Sequence, residues 1–347
     1  MENIKVGLWG LGSMGSGMAE YLTDKKGIEI VGAVANREKK AGHDLSEFLN
    51  GVDKKLGVKV SNDPESSFVD ADVVLHATTS FVKECYPQLK KLINKGINVI
   101  TIAEEMAYPS VEDKELSQKI DELARKNNVT VLGTGINPGF VLDLLIITMS
   151  GACIEVDKIE ASRVNDLSPF GPTVMKTQGV GTTVEEFNKG VKEGKIVGHI
   201  GFKESIQMIA DRLGWELDEI KESREPIVSE TYRETPHVTV EPGMVAGCRH
   251  IARGVIDGEE LIVLKHPQQI QPEKEGTETG DYIKIEGNPG IDLANQPEIP
   301  GGIGTMATAI NMIPHVINAE AGLVSMKDLP VPSALMGDVR HLLKENY

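Results

Sequence analysis

A glycine-rich turn near the start of the chain has the spacing of a nucleotide-binding motif. Gly10, Gly12 and Gly15 form the sequence GLGSMG, which follows an apolar run at 4–9 and precedes a helix predicted for 16–22. The first glycine permits a tight turn, the second lets the backbone approach a pyrophosphate, and the third lets helix and strand pack closely. Unpaired N–H groups at the helix start also favour an anion. The alternative is a glycine turn that binds nothing. The residues predicted to contact a dinucleotide here are Gly10, Gly12, Ser13, Met14 and Gly15.

The residues after the second predicted strand, at 28–35, indicate which dinucleotide is preferred. An acid about 20 residues past the glycines would bind the ribose 2′-hydroxyl of NAD. Asn36 lies at the corresponding point and is followed by Arg37, whose guanidinium can pair with a 2′-phosphate through two hydrogen bonds. The sequence therefore predicts NADP, with NAD as the alternative, unless Arg37 lies only on a solvated helix start.

Two later loops are expected at the same edge of the predicted sheet. The sequence HATTS (76–80) follows the strand predicted for 73–76, and GTGINPGF (133–140) follows the strand predicted for 129–133. Ligands of open parallel sheets lie outside the carboxyl ends of the strands, so both loops should border the cofactor. We expect Ala77, Thr78 and Thr79 to line the nicotinamide ribose and Asn137 to bond the carboxamide, the alternative being ordinary loop chemistry.

A doubly wound parallel sheet would place these loops together at one edge. Short apolar segments at 4–9, 28–35, 73–76, 99–103 and 129–133 alternate with helical patterns at 16–22, 42–49, 86–94 and 111–127. This alternation is typical of an α/β Rossmann domain, which we expect over residues 1–145.

The pattern of apolar residues changes after residue 149, from continuous apolar runs to alternation of apolar and polar residues. Alternating segments at 154–164, 227–235, 237–241 and 249–265, with helices at 184–193 and 201–213, predict an α+β domain with an open mixed sheet over 146–300. A polar tract at 268–280 reads as a surface loop. An apolar helix predicted for 301–323 should return, within 301–347, to the Rossmann domain.

The bulk composition excludes several classes of protein. The 347 residues carry a net charge of −16, which repels nucleic acid and anionic membranes. The three cysteines lie far apart and no metal-ligand spacing occurs, so neither a disulfide framework nor a metal site is expected. No apolar stretch is long enough to span a bilayer, and we expect a cytoplasmic protein.

Two family resemblances extend this interpretation. The opening GLGSMGSGMAEYL with ANREKKAG resembles the β-hydroxyacid dehydrogenases, but only over about the first fifth of the chain, and the strand-forming tract after residue 154 does not fit their all-helical second domain. A second resemblance covers nearly the whole chain. GLGSMG, HATTS, TIAEEMAYP, GTGINPGFVLDLL, ASRVNDL, GHIGFKES and GTMATAINMIPHV together resemble the 2,4-diaminopentanoate dehydrogenases and related native amine dehydrogenases.

The second resemblance implies a dihydrodipicolinate reductase-like fold, a homodimer and a reaction. The reaction is oxidation of the 4-amino group of 2,4-diaminopentanoate, giving 2-amino-4-oxopentanoate, ammonia and NAD(P)H in ornithine degradation. It also places a catalytic acid in the TIAEEMAYP segment, where Glu104 and Glu105 follow the strand predicted for 99–103. Such an acid can hold a cationic amine and take up protons, and it works best with a pKa raised by burial. Adjacent residues of an extended chain point to opposite faces, so we expect only one of the two to enter the site, and we choose Glu104. The alternative is a pair of solvated glutamates.

The substrate of that reaction also carries a carboxylate, for which Arg163 is the predicted partner. Arg163 could equally form an ordinary ion pair within the protein. The further substrate-binding candidates are Asn165, Thr173 and His266. Two other functions remain open: a dehydrogenase of the same architecture acting on another small amine or amino acid, and a dinucleotide-binding regulator without turnover.

Overall fold

The computed structural model describes residues 2–36 and 38–344. The chain divides into two compact units, Met1–Phe140 with Gly301–Tyr347, and Val141–Pro300. The domain boundary expected at residue 145 therefore falls inside a helix of the second unit, Leu144–Ser150.

The first unit begins with a parallel α/β arrangement. Its elements in chain order are β1 (Ile4–Trp9), α1 (Ser13–Leu22), β2 (Ile28–Val34), β3 (Val60–Ser61), α2 (Pro64–Ser67), β4 (Val73–His76), α3 (Val82–Asn94), β5 (Asn98–Thr101), α4 (Lys114–Lys126) and β6 (Thr130–Gly133). Strands β4 and β6 are buried along their whole length, as strands covered on both faces must be. Their continuous apolar sequence is the reason these short strands are predictable.

The helix predicted for 42–49 is wrong. The segment instead contains a 3₁₀ turn, Leu45–Phe48, inside a longer loop. Asp44 organises this loop, because its carboxylate accepts hydrogen bonds from the backbone N–H groups of Ser46, Leu56 and Gly57. Gly42 adds a left-handed backbone at φ +85°. A side chain that bonds distant backbone competes with helix formation in this way.

The second unit has a six-stranded mixed sheet. Its elements are α5 (Leu144–Ser150), β7 (Glu155–Asp166), α6 (Pro172–Thr177), α7 (Val184–Lys192), α8 (Phe202–Leu213), β8 (Glu219–Val228), β9 (Arg233–Glu234), β10 (Thr239–Val240), β11 (Val245–Ile256), β12 (Glu259–Gln269), β13 (Gly280–Asn288) and β14 (Ile291–Asn295). The strand order is β14-β13-β7-β12-β11-β8, and β9 pairs with β10 separately. Only the β7–β12 pair of the six-stranded sheet is parallel among the described pairings. The predicted α+β class is confirmed.

The strand predicted for 227–235 is interrupted at Ser229. The buried Arg233 explains the break, since its guanidinium contacts the Ser229 hydroxyl at 2.7 Å and pairs with Glu275 at 2.7 Å. Burial works to raise the pKa of Glu275, but hydrogen bonds from Arg233, Ser229 and the Glu230 backbone outweigh it and lower the pKa to about 2. This ionic cluster turns the chain between β8 and β9.

The C-terminal segment completes the first unit. It forms α9 (Gly301–Asn311), α10 (Ile313–Asn318) and β15 (Gly322–Val324), so the single helix predicted for 301–323 is wrong. Pro314 accounts for the interruption, because proline lacks the N–H that a continuous helix requires at that point. β15 pairs with β6, which gives a seven-stranded sheet in the order β15-β6-β5-β4-β1-β2-β3. The predicted doubly wound parallel sheet is confirmed.

Candidate active site

The glycine turn has the geometry that close approach of a pyrophosphate requires. Gly10 adopts φ +104°, and a Cβ on it would lie 2.3 Å from the Ala77 carbonyl oxygen. A Cβ on Gly15 would lie 1.7 Å from the Gly10 carbonyl oxygen, so this glycine is needed for packing. A Cβ on Gly12, in contrast, would meet no heavy atom of the described chain within 4 Å, apart from its immediate neighbours. The backbone at Gly12 is therefore open to the close approach of a ligand.

Helix α1 starts directly after this bare position. Gly12 is its N-cap, no described side chain caps it, and its first turn contains no acid. The N–H groups of Ser13 and Met14 therefore point out of a helix start that carries positive partial charge. This arrangement fits the pyrophosphate of NAD(P).

The end of β2 borders the same turn. Asn36 is exposed just past this strand, and Arg37 lies outside the described residues. Sequence reasoning did not select Lys40, whose ammonium donates to the Leu11 carbonyl inside the glycine turn at 2.7 Å and lies 4.6 Å from the centre of the Phe48 ring. Among the described residues that follow β2, Lys40 thus brings a cation to the turn.

The HATTS loop joins β4 to α3 and carries three of the predicted cofactor contacts. Ala77 packs against the glycine turn, as the clash of a Gly10 Cβ with its carbonyl shows. Thr78 bonds His76 Nε2 and Gln88 Oε1, both at 3.0 Å. The Thr79 hydroxyl bonds the Glu84 carboxylate. The loop is therefore held by side-chain hydrogen bonds to helix α3.

Asn137 lies in the loop after β6, at the same carboxyl edge of the sheet. It is half-buried and precedes Pro138 through a cis peptide bond. The adjacent Ile136 N–H donates to the Thr305 hydroxyl of α9 at 3.2 Å, so the C-terminal segment anchors this loop. Its predicted contact with the nicotinamide stays a prediction.

The two acids after β5 have different surroundings. They lie in a 3₁₀ helix, Glu104–Ala107, so the argument from alternation in an extended chain is wrong. Burial raises the pKa of Glu104, against a hydrogen bond with the Ser80 side chain that works to lower it. The Glu105 carboxylate instead accepts the Val82 N–H at 2.8 Å, at the start of α3. Glu105 therefore has a structural role, and Glu104 has the environment of a general base.

Two of the substrate candidates lie on neighbouring strands of the second unit. His266 on β12 is 5 % exposed, and its Nε2 lies 2.9 Å from Asn165 Oδ1 on β7. Its Nδ1 has no hydrogen-bond partner among the described residues. Burial lowers the pKa of His266 well below its usual value, with the charge of Arg163 adding to the effect. A neutral imidazole with one open acceptor results.

The other two candidates differ in exposure. Thr173 is exposed in the first turn of α6. Arg163 is 1 % exposed, and its guanidinium forms an ion pair with Asp281 and donates to the Ile299 carbonyl. The structure therefore brings Asn165 and His266 together, whereas Arg163 already has an anion within its own unit. Its contact with a substrate carboxylate stays a prediction.

Metal and membrane features are not found in the described residues. No group of three or more His, Cys, Asp or Glu side chains within 2–36 and 38–344 is arranged to hold a metal ion. No helix in the same ranges is long and apolar enough to cross a membrane.

Loops gathered at the carboxyl edge of a parallel sheet, with a bare glycine turn at an uncapped helix start, are typical of nicotinamide-dependent dehydrogenases, the class to which this first unit points. Comparison with known proteins narrows this class. The family described as 2,4-diaminopentanoate dehydrogenase C-terminal domain matches residues 140–345, and that described as dihydrodipicolinate reductase, N-terminus, matches residues 4–132.

Individual relatives agree with these matches. The chain is 51% identical to 2,4-diaminopentanoate dehydrogenase from Acetoanaerobium sticklandii, over 99% of this chain and 98% of that protein. The solved structure of an amine dehydrogenase from Mycobacterium smegmatis superposes with a TM-score of 0.83 at 28% identity, covering 96% and 97% of the two chains. Dihydrodipicolinate reductase from Paenisporosarcina sp. TG-14 shares the fold, with a TM-score of 0.54 at 15% identity over 94% and 99%.

The chain belongs to the 2,4-diaminopentanoate dehydrogenase family, within the amine-oxidising dehydrogenases. The resemblance inferred from the motifs is confirmed.

Proposed function

We propose that the protein oxidatively deaminates 2,4-diaminopentanoate at C4, giving 2-amino-4-oxopentanoate and ammonia, with NADP as the preferred cofactor. The observation that carries the proposal is the state of Glu104. This carboxyl is half-buried, has a raised pKa and interacts with the Ser80 hydroxyl, and no ion pair with a cation is found for it in the described part of the chain. A buried, uncompensated carboxylate favours a cationic ligand, and an aliphatic amine is a cation at neutral pH.

The acid can act in both halves of the reaction. It first holds the substrate ammonium and accepts one of its protons, which leaves a neutral amine. When bound, the nicotinamide supplies the hydride acceptor for the carbon that bears this amine. Glu104 releases that first proton to solvent before the second half of the reaction. It then takes a proton from the water that adds to the resulting iminium and passes it to the nitrogen, which leaves as ammonia while the carbonyl forms. A raised pKa suits this work because a general base is most effective near the working pH.

The remaining candidates would recognise the rest of the substrate and the cofactor. His266 Nδ1 is an open acceptor for a substrate N–H, beside Asn165, and Thr173 offers an exposed hydroxyl. Arg163 would bind the substrate carboxylate only by sharing its guanidinium with Asp281.

On the cofactor side, Gly10, Gly12, Ser13, Met14 and Gly15 would hold the pyrophosphate. Asn36 and Arg37 would bind the 2′-phosphate side, and Ala77, Thr78, Thr79 and Asn137 the nicotinamide side. We also propose a cytoplasmic homodimer acting in ornithine degradation. Light scattering of the purified protein tests the dimer.

The test of the reaction is an absorbance assay of reduced-cofactor formation. Substrates are 2,4-diaminopentanoate, simple short-chain amines and common amino acids, each with NAD and with NADP. We expect the diamino acid to give the highest kcat/KM and NADP the lower KM. Turnover of a different amine only would assign another substrate, and cofactor binding without any turnover would favour a regulator.

A further inference from the structure

His76, at the carboxyl end of β4, connects two parts of the site that lie on different strands. It is fully buried, and its ring meets the Trp9 ring edge-on at 5.8 Å between centroids. Its Nδ1 lies 2.9 Å from the Thr101 hydroxyl at the end of β5. Its Nε2 lies 3.0 Å from both Gln88 Oε1 on α3 and the Thr78 hydroxyl. Both ring nitrogens are therefore engaged.

The partners determine which ring nitrogen carries the proton. Gln88 Oε1 can only accept, and its amide orientation is supported by the Nε2 contact with the Glu84 carbonyl at 3.4 Å. His76 Nε2 is therefore the donor, and Nδ1 accepts from Thr101. Burial lowers the pKa of His76 to about 4, so the ring is neutral at physiological pH. A single neutral tautomer satisfies all these contacts.

Each ring nitrogen holds a different functional loop. The Nε2 side fixes Thr78, which in turn donates to Gln88 Oε1, in the loop that borders the cofactor. On the Nδ1 side, the Thr101 hydroxyl accepts the Ala103 N–H at 3.2 Å. Ala103 is the residue before the 3₁₀ helix that begins at Glu104. The imidazole thus joins the cofactor loop to the backbone that carries the acid.

We propose that His76 is a positioning residue with two separable effects, one on cofactor binding through Thr78 and one on turnover through Thr101 and the Ala103–Glu104 backbone. The proposal rests on the proposed roles of Thr78 and Glu104. Substitution of His76 by asparagine or by glutamine can separate the effect on cofactor binding from the effect on turnover. An asparagine amide reaches about as far as Nδ1, whereas a glutamine amide reaches about as far as Nε2.

The experiment compares the variants His76→Asn and His76→Gln. Affinity for NADPH is measured by fluorescence titration, and kcat with saturating amine and cofactor. His76→Asn keeps an acceptor for Thr101, so we expect NADPH to bind about 3- to 10-fold more weakly, the effect of one neutral hydrogen bond, with kcat nearly unchanged. His76→Gln keeps a donor for Gln88, so we expect kcat to fall about 3- to 10-fold with NADPH affinity nearly unchanged.

Two threonine variants provide the matched control. Thr101→Val keeps the shape and removes the hydroxyl, so it should reproduce the kcat loss of His76→Gln. Thr130→Val removes a comparable buried hydroxyl, bonded to the Glu320 carbonyl, from the opposite end of the neighbouring strand β6. It should lower the melting temperature about as much as Thr101→Val while leaving kcat and NADPH affinity at wild-type values.

Identical profiles for the two His76 variants, or a normal kcat in Thr101→Val, would overturn the proposal. If both His76 variants fail to fold, the comparison of Thr101→Val with Thr130→Val decides. The NADPH titration needs no turnover. If the wild type does not oxidise 2,4-diaminopentanoate, the proposed function fails while the cofactor effect of His76 is still measured.

Discussion

The substitution Glu104→Gln changes the charge and basicity of one acid while keeping its size and one acceptor oxygen. Without the carboxylate, no group at this position can take a proton from the substrate ammonium or from the attacking water. We expect kcat to fall about a hundredfold or more, the scale of a lost general base, which corresponds to about 2.7 kcal/mol of activation free energy. NADPH affinity should stay within a few-fold, because the glycine turn follows β1 and its structure does not depend on Glu104, which follows β5.

The neighbouring acid supplies the control. Glu105 accepts the N–H of Val82 at the start of α3, and a glutamine oxygen can accept the same hydrogen bond. Glu105→Gln then loses the attraction between a carboxylate and the helix N-terminus, which is worth about 0.3–1 kcal/mol of stability. Its kcat should be close to that of the wild type. The two variants differ by one position and by the environment that the structure gives each acid.

Stability and pH give a second, independent readout. Burial raises the pKa of Glu104 in the folded state, so ionisation disfavours folding as the pH rises through that value. Glu104→Gln should therefore melt at the same or a higher temperature than the wild type at neutral pH. The wild-type kcat/KM should rise with pH through a midpoint above that of an exposed glutamate, and this acid limb should vanish in Glu104→Gln. Normal turnover by both variants would refute the carboxylate mechanism. If Glu105→Gln is inactive and Glu104→Gln is active, Glu105 is the general base and Glu104 is not.

Further variants test the cofactor site and the buried ion pairs. Arg37→Ala should weaken the binding of NADP by about 1.5–3 kcal/mol in titrations and the binding of NAD much less. Equal losses of affinity for the two cofactors would contradict the proposal that Arg37 binds the 2′-phosphate. Gly12→Ala should melt like the wild type but bind both dinucleotides more weakly, whereas Gly15→Ala should lose stability through its clash with the backbone. The depressed pKa of Glu275 predicts stability that is present above about pH 4.3 and lost as the pH falls towards about 2, and acid unfolding of Glu275→Gln should lack this loss. Arg163→Met should cost about 3–5 kcal/mol in urea unfolding because it leaves a buried carboxylate unpaired. A stable Arg163→Met with a raised KM for the diamino acid alone would instead support a substrate contact.

Five of the first six strands were predictable because each is a short apolar run between glycine-rich or polar turns, whereas the two-residue β3 was not predicted. The failures come from contacts between residues far apart in sequence. Asp44 draws backbone from residues 56 and 57 into a loop where the local pattern favoured a helix. β15 is three residues long and is a strand because β6 lies beside it. The local spacing of apolar residues cannot predict either the contacts of Asp44 or the pairing of β15 with β6.

The candidate site divides in the same way. The glycine spacing and the position of loops after strands follow from sequence, because the topology of a parallel sheet places those loops together. Sequence reasoning chose Glu104 over Glu105, but its supporting argument assumed an extended chain that the structure does not have, so the choice stays a prediction. What separates them is burial at one position and a helix N–H at the other. His76 was passed over because a histidine inside an apolar strand gives no local sign of having two partners.

Arg163 and Glu104 are both charged candidates for binding substrate, but their surroundings in the structure differ. An arginine on a strand can bind any carboxylate, and in the second unit Asp281, 118 residues away, forms that pair. Glu104 is the opposite case, since within the described chain it interacts with a hydroxyl and has no ion-pair partner. A buried charge is costly unless an opposite charge compensates it. The charge still to be matched is therefore negative. This supports the proposal that Glu104 binds a cationic amine, in which case one group would both recognise the amine and take its proton.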